Sequence, residues 1–204
     1  VKIHQITPEI LLNAYAQGLF PMAQGEQDES VGWYLPEQRA ILPLCEADGL
    51  HFSRSNRRLL QNHSFTLTLN HAFREVMEGC RENRDGCWIS DKMIDLYDQT
   101  HRLGYAHSLE CWQDNQLIGG IYGIAIGGLF CGESMFSRVS GASKVALYTL
   151  VTTLEKAGYQ LFDVQYVNPH LQQFGVKEIS ADAYGEKLGH ALQLTPHKLQ
   201  IRLT

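Results

Sequence analysis

Gln116-Leu117-Ile118-Gly119-Gly120-Ile121-Tyr122-Gly123-Ile124-Ala125-Ile126, then Gly127-Gly128, then Leu129-Phe130-Cys131-Gly132-Glu133-Ser134, is the stretch on which the fold turns. It is apolar nearly throughout, yet its glycines interrupt it before it reaches the roughly 18–20 residues of a bilayer-spanning helix. Strands separated by turns are the expected outcome. Just upstream, residues 107–112 are also strand-like, and Gln113-Asp114-Asn115 between the two runs has the composition of a hairpin turn. With a second turn at Gly127-Gly128, the three runs read as an antiparallel meander.

Downstream, residues 143–156 carry Val145, Leu147, Leu150, Val151 and Leu154 at helical spacing and stop at Gly158. Residues 161–167 are a further strand, followed by a helix-like piece over 170–174 and a last helix over 182–192. Upstream, residues 65–69 alternate apolar and polar, residues 39–43 are a candidate strand and residues 53–61 a helix. Asn70 and Ser90 are placed to cap helices running to about Cys80 and Arg102. Thr7-Pro8-Glu9 opens a first helix that stops at Gly18, and a polar loop is expected over 24–30. The succession fits the GNAT acyltransferase architecture: an α+β fold with a mixed sheet flanked by helices. A small N-terminal domain over residues 1–37 and a GNAT-like domain over 38–204 are expected.

A chain of 204 residues can bury a core without covalent staples. Five cysteines with no Cys-x-x-Cys pair read as reduced thiols, and nine histidines without a standard ligand spacing imply no metal. The N-terminal residues lack the pattern of a secretory signal, so a cytoplasmic location is expected. A formal net charge of −5 excludes coating of nucleic acid by bulk charge. Locally, however, residues 51–63 hold Arg54, Arg57 and Arg58 and no acid. Three arginines near a helix start could hold a phosphate backbone, but from the residues alone a solvated helix face is the favoured reading.

Alternation along residues 161–167 puts Asp163 and Gln165 on one face and Phe162 and Val164 on the other. A carboxylate and a carboxamide on a buried strand require hydrogen-bond partners or a ligand, and Glu133, set in an apolar run, poses the same requirement. Two rival chemistries fit nearby residues. Cys131, Glu133 and Lys144 could compose a nucleophilic hydrolase site. Arg138-Val139-Ser140-Gly141-Ala142-Ser143 partly matches a pyrophosphate turn at a helix start, the requirement of an acetyl-CoA-dependent N-acetyltransferase.

Phe130-Cys131-Gly132-Glu133-Ser134-Met135-Phe136-Ser137-Arg138 resembles the signature of the leucyl/phenylalanyl-tRNA–protein transferase family. Agreement extends to Ala14-Tyr15-Ala16-Gln17-Gly18-Leu19-Phe20-Pro21, Phe52-Ser53-Arg54-Ser55, Cys87-Trp88-Ile89, residues 104–110, residues 119–123 and Asp163-Val164-Gln165-Tyr166-Val167-Asn168. The resemblance implies a GNAT-like enzyme that moves Leu, Phe or Met from aminoacyl-tRNA onto proteins beginning with Lys or Arg, marking them for degradation by the N-degron route. It implies no cofactor, no membrane and no DNA. Asp163, Gln165 and Glu133 would be catalytic. Trp88, Phe130, Met135, Phe162 and Asn168 would lie at the pocket for the aminoacyl end and terminal adenosine, and Arg54, Arg57 and Arg58 in a patch for the tRNA body. Met22 stands where many members place a tryptophan after Phe-Pro, and is expected to give that wall of the substrate site a softer, narrower surface.

Overall fold

The computed structural model describes residues 1–23, 30–82 and 89–201. Thr7 caps α1 (Pro8–Ala16) by accepting from the Ile10 amide, with Pro8 at the first helical position. A hairpin follows, β1 (Phe20–Ala23) paired antiparallel with β2 (Val31–Tyr34). Neither strand was expected, because each is only four residues long and Pro21 interrupts the alternation that would reveal the first. The loop expected over 24–30 lies, apart from Ser30, outside the described residues.

Next come β3 (Gln38–Ile41), α2 (Arg54–Asn62), β4 (Thr66–Leu69), α3 (Phe73–Arg81) and α4 (Asp91–Arg102). Ser90 caps α4 as the sequence predicts. Asn70 does not cap α3: it takes a left-handed backbone (φ 61°), and its side-chain oxygen accepts from the Ser108 amide. The start of α3 is instead met from the sheet, where the buried Glu110 carboxylate accepts from the amides of His71 and Ala72, each at 3.4 Å, and from the hydroxyls of Ser108 and Thr68.

The meander is as expected: β5 (Ala106–Gln113), β6 (Gln116–Ile126) and β7 (Leu129–Ser137). Its first turn places Asp114 and Asn115 at φ 51° and 61°, the left-handed pair that a two-residue hairpin demands. Then follow α5 (Ala142–Ala157), β8 (Leu161–Gln165), α6 (Pro169–Gln172), β9 (Lys177–Ser180) and α7 (Ala181–Leu192). The short edge strand β9 was missed, since Lys177 and Glu178 give it no apolar face to read.

Among the described residues, one seven-stranded sheet runs β4-β5-β6-β7-β8-β3-β9, antiparallel except for the β7/β8 pair. Apolar side chains pack on both of its faces. One cluster joins α1, α3, α4 and α7 to Cys131 and Leu161, and the other joins α5 to Phe130, Phe162 and Val164. The small N-terminal domain shares the first cluster through Leu11, Tyr15 and Phe20. The arrangement is therefore the GNAT-like mixed sheet with helices on both faces. Among the described residues no helix is long and apolar enough to cross a membrane.

Candidate active site

Parallel pairing of β7 with β8 covers only Leu129–Cys131 against Leu161–Asp163, after which the two strands part. Two local irregularities mark the separation. On β7, Gly132 pairs with Gly123 and Ser134 with Tyr122, so Glu133 is the extra residue of a β-bulge. On β8, Gln165 adopts φ 59°, an uncommon conformation for a side-chain-bearing residue, and the strand ends there rather than at 167. Between the parted strands lies a cavity of about 610 Å³, closed by α5 and α6 and lined by Glu133, Met135, Leu147, Phe162, Gln165 and Asn168, among others. That volume is in the range of about 300–1,000 Å³ common for small-molecule sites.

The expectation that Asp163 and Gln165 share a face is corrected here. Asp163 is completely buried on the α7 side of the sheet, whereas Gln165 lines the cavity with Phe162 and Val164 on the other. Alternation fails because it presumes extended backbone, which Gln165 leaves. Asp163 is also saturated. Its Oδ1 accepts from Arg39 Nε at 2.9 Å and from the Gln165 amide at 2.9 Å; its Oδ2 accepts from Arg39 Nη2 at 2.5 Å, Tyr184 Oη at 2.8 Å and Cys131 Sγ at 3.6 Å. A charge so paired is not offered to an incoming cation. What Asp163 holds is the main-chain amide of Gln165. In the amide orientation that satisfies its surroundings, the Gln165 Nε2 donates to the carbonyls of Gly132 at 3.0 Å and Val164 at 3.2 Å, bridging the parted strands.

Glu133 is placed differently. Its carboxylate accepts from Tyr15 Oη at 2.7 Å and Tyr97 Oη at 3.3 Å, and the two phenols are themselves 2.7 Å apart. Burial pushes the Glu133 carboxyl up to about 7; the Tyr15 hydrogen bond works against that rise and the Asp163 charge adds to it. The bulge thus sets a carboxyl raised to about 7 beside the two phenols, on a residue that lines the cavity.

The remaining candidates divide. Met135, Phe162 and Asn168 line the cavity, and Asn168 also caps α6 by accepting from the Leu171 amide at 2.8 Å. Phe130 does not line it; fully buried, it supports Phe162 edge to face with ring centres 5.2 Å apart. Met22 is 37% exposed on β1 and is not among the lining residues either, because the N-terminal hairpin packs toward the Asp163 side. Trp88 lies outside the described residues. Arg54 and Arg58 are exposed on α2, while Arg57 donates to Glu46 and to the Phe52 carbonyl. Lys144, at the start of α5, donates to Asn56 of α2 and so joins that basic helix to the helix carrying Ser143 and Leu147 into the cavity.

Both rival chemistries lose their footing. The Cys131 thiol is fully buried, and burial first, then the Asp163 charge, push it well above the usual thiol range. Lys144 bonds elsewhere. For an acetyl-CoA pyrophosphate, Arg138 would have to be available, but it forms a forked pair with Glu82 and donates to the Leu117 carbonyl. Gly141, at φ 90°, is covered by Leu59 of α2, which sits 2.7 Å from where a Cβ would stand.

Sequence reasoning missed Arg39, Tyr184, Tyr15 and Tyr97. Arg39 looked like the polar start of a strand, and nothing local indicates that its partner lies 124 residues away. Tyr15 did fall inside the motif over residues 14–21, but nothing local ties it to Glu133, 118 residues away.

The chain matches known proteins along nearly its whole length. A family model described as leucyl/phenylalanyl-tRNA protein transferase matches residues 44–189, and one described as the N-terminal domain of that transferase matches residues 4–37. The chain is similar to a leucyl/phenylalanyl-tRNA–protein transferase of Rhodospirillum rubrum, 48% identical over 192 residues that span 93% of this chain and 89% of the relative. It is also similar to those of Dinoroseobacter shibae, at 49% over 92% and 82%, and Herpetosiphon aurantiacus, at 46% over 93% and 96%. Among solved structures, FemX superposes with a TM-score of 0.57 at 14% identity, covering 83% of this chain and 66% of its own. At that identity the likeness speaks for the fold alone. With the cavity, the bulge and matches along nearly its whole length, the chain belongs to the leucyl/phenylalanyl-tRNA protein transferase family, a family of enzymes.

Proposed function

We propose that this enzyme transfers leucine or phenylalanine, and also methionine, from aminoacyl-tRNA to the N-terminal amine of proteins that begin with Arg or Lys, marking them in the cytoplasm for degradation by the N-degron route. The observation that carries this reading is the apolar-walled cavity between the parted strands, with the Gln165 carboxamide on one wall and Glu133 on the other. An esterified leucyl or phenylalanyl group suits the walls formed by Ile121, Met135, Leu147 and Phe162. The exposed arginines of α2, joined through Lys144 to the same cavity, suit the phosphates of the attached tRNA.

In this reading the α-amine nitrogen of the acceptor attacks the ester carbonyl. A C–N bond forms, the C–O bond to the terminal ribose breaks, and the proton lost from nitrogen ends on the ribose oxygen. Aminolysis of an ester is downhill, so the protein's task is alignment, and no energy source or metal is required. An α-amine titrates near ~7.7–8, so a useful fraction is neutral at physiological pH. Gln165 orients the amine through its carboxamide oxygen; an amide is too weak a base to remove the proton itself. Asp163 acts behind it, as a positioning residue. Glu133, when ionised, faces the basic end of the acceptor.

Incubation of the chain with tRNA charged with radioactive phenylalanine and peptides beginning with Arg, Lys or Asp is the direct check. Label is expected on the first two peptides and not the third, with acetyl-CoA neither required nor consumed. No label on any peptide, or acetylation in its place, would sink the proposal.

A further inference from the structure

The cavity residue Gln165 holds a left-handed backbone conformation (φ 59°) that a side-chain-bearing residue keeps only where its surroundings enforce it. The enforcing contact is Asp163 Oδ1, which accepts the Gln165 amide at 2.9 Å. A carboxylate is a two-oxygen lever, so whatever fixes its rotation fixes where Oδ1 points. Here that is done by Arg39, whose planar fork takes both oxygens, and by Tyr184, whose hydroxyl takes Oδ2. Arg39 is only 1% exposed and is sandwiched between the rings of Phe20 and Tyr184, at 4.5 and 4.7 Å. Its remaining nitrogen Nη1 donates to the carbonyl of Gly18 at 3.1 Å, at the corner between α1 and β1. Neither Arg39 nor Tyr184 lines the cavity.

We propose that Arg39 and Tyr184 are positioning residues for transfer, acting through Asp163 on Gln165, so that the α1–β1 corner of the small N-terminal domain sets the rate of the bond-making step. The inference rests on the function proposed above. Both residues influence the reaction only through the direction in which the Gln165 carboxamide is held, so they bear on kcat and not on the binding of either substrate. The guanidinium fork is essential to that role, because an ammonium cannot bridge both oxygens in one plane.

The test is a double-mutant cycle on the full chain, with kcat and KM measured for Phe-tRNA and for an Arg-initiated peptide. Tyr184→Phe keeps the ring that covers Arg39 and removes one hydrogen bond. Gln165→Asn keeps a residue tolerant of the left-handed backbone and withdraws the carboxamide by one methylene. Tyr184→Phe is expected to lower kcat about tenfold with both KM values unchanged, and to lower it no further in the Gln165→Asn background. Arg39→Lys should lower kcat more than Tyr184→Phe, again at constant KM. Multiplying losses in the double variant, a loss expressed in KM, or an unaltered kcat in Tyr184→Phe would each overturn the positioning role while wild-type transfer stands. Absence of transfer by the wild type would overturn the function itself, and this inference with it.

Discussion

Two carboxyls, one buried and one half-buried, flank the point where β7 and β8 part, and they are treated in opposite ways. Around Asp163 the protein gathers a guanidinium, a phenol, a thiol and a main-chain amide, leaving both carboxylate oxygens fully engaged. Around Glu133 it places two phenols and, among the described residues, no hydrogen-bonded cation, and the carboxyl is driven up to about 7. The residue with the stronger charge partner is the one removed from the cavity. A saturated acid can hold geometry; an unsaturated one can meet a ligand and exchange a proton.

The largest effect that separates the two regions is expected from Asp163→Ala. It strands a buried guanidinium, so denaturant unfolding should show a loss of about 3–5 kcal/mol, and transfer should fall by about a hundredfold. A variant with unchanged stability would mean that the Arg39 pair is not the keystone it looks.

Glu133→Gln should cost less, about tenfold in kcat/KM for an Arg-initiated peptide at pH 8, with the folded protein intact. Its sharper signature is in pH dependence. Because Glu133 must be ionised to face the acceptor's cation, wild-type kcat/KM should rise through pH 7 in addition to the rise set by the amine near ~7.7–8. Only the second rise should survive in the variant. Stability changes in the other direction: with its folded pKa above the unfolded one, Glu133 makes the fold lose stability as pH climbs from about 4.5 to about 7. Glu133→Gln should flatten that slope in a series of thermal melts; an identical slope would remove Glu133 as its source.

Replacing Arg54 and Arg58 together by Ala should weaken binding of charged tRNA several-fold and reduce its log–log salt slope by about 1–2, with kcat retained. The smallest effect is expected for Cys131→Ala. It should change turnover less than about threefold, and thiol-alkylating reagents should leave the native enzyme active, since the sulfur has no solvent exposure.

Most of the frame was legible in the sequence, and for a common reason. The meander, the α4 and α5 boundaries and the α1 cap depend on contacts a few residues apart, through Asp114-Asn115, Gly158, Ser90 and Thr7. The cavity residues Met135, Phe162 and Asn168 came from resemblance alone. What escaped was long-range or conformational: the partner of Arg39, the true cap of α3 at Glu110, the bulge at Glu133 and the left-handed turn at Gln165. A two-residue alternation cannot announce the position at which it ceases to apply, and for that reason Asp163 and Gln165 were placed together on the sheet.

The wide sequence interval inside the Arg39–Asp163 pair has a consequence for how the chain is made. At a synthesis rate of roughly 5–20 residues per second, the 124 residues that separate the partners take about 6 to 25 s to translate. Throughout that interval β3 exists without the acid that neutralises it and without β8 and β9, the strands it lies between in the final sheet. The guanidinium therefore has no acid to pair with until β8 emerges, and its cover by Tyr184 can form only when synthesis is nearly complete.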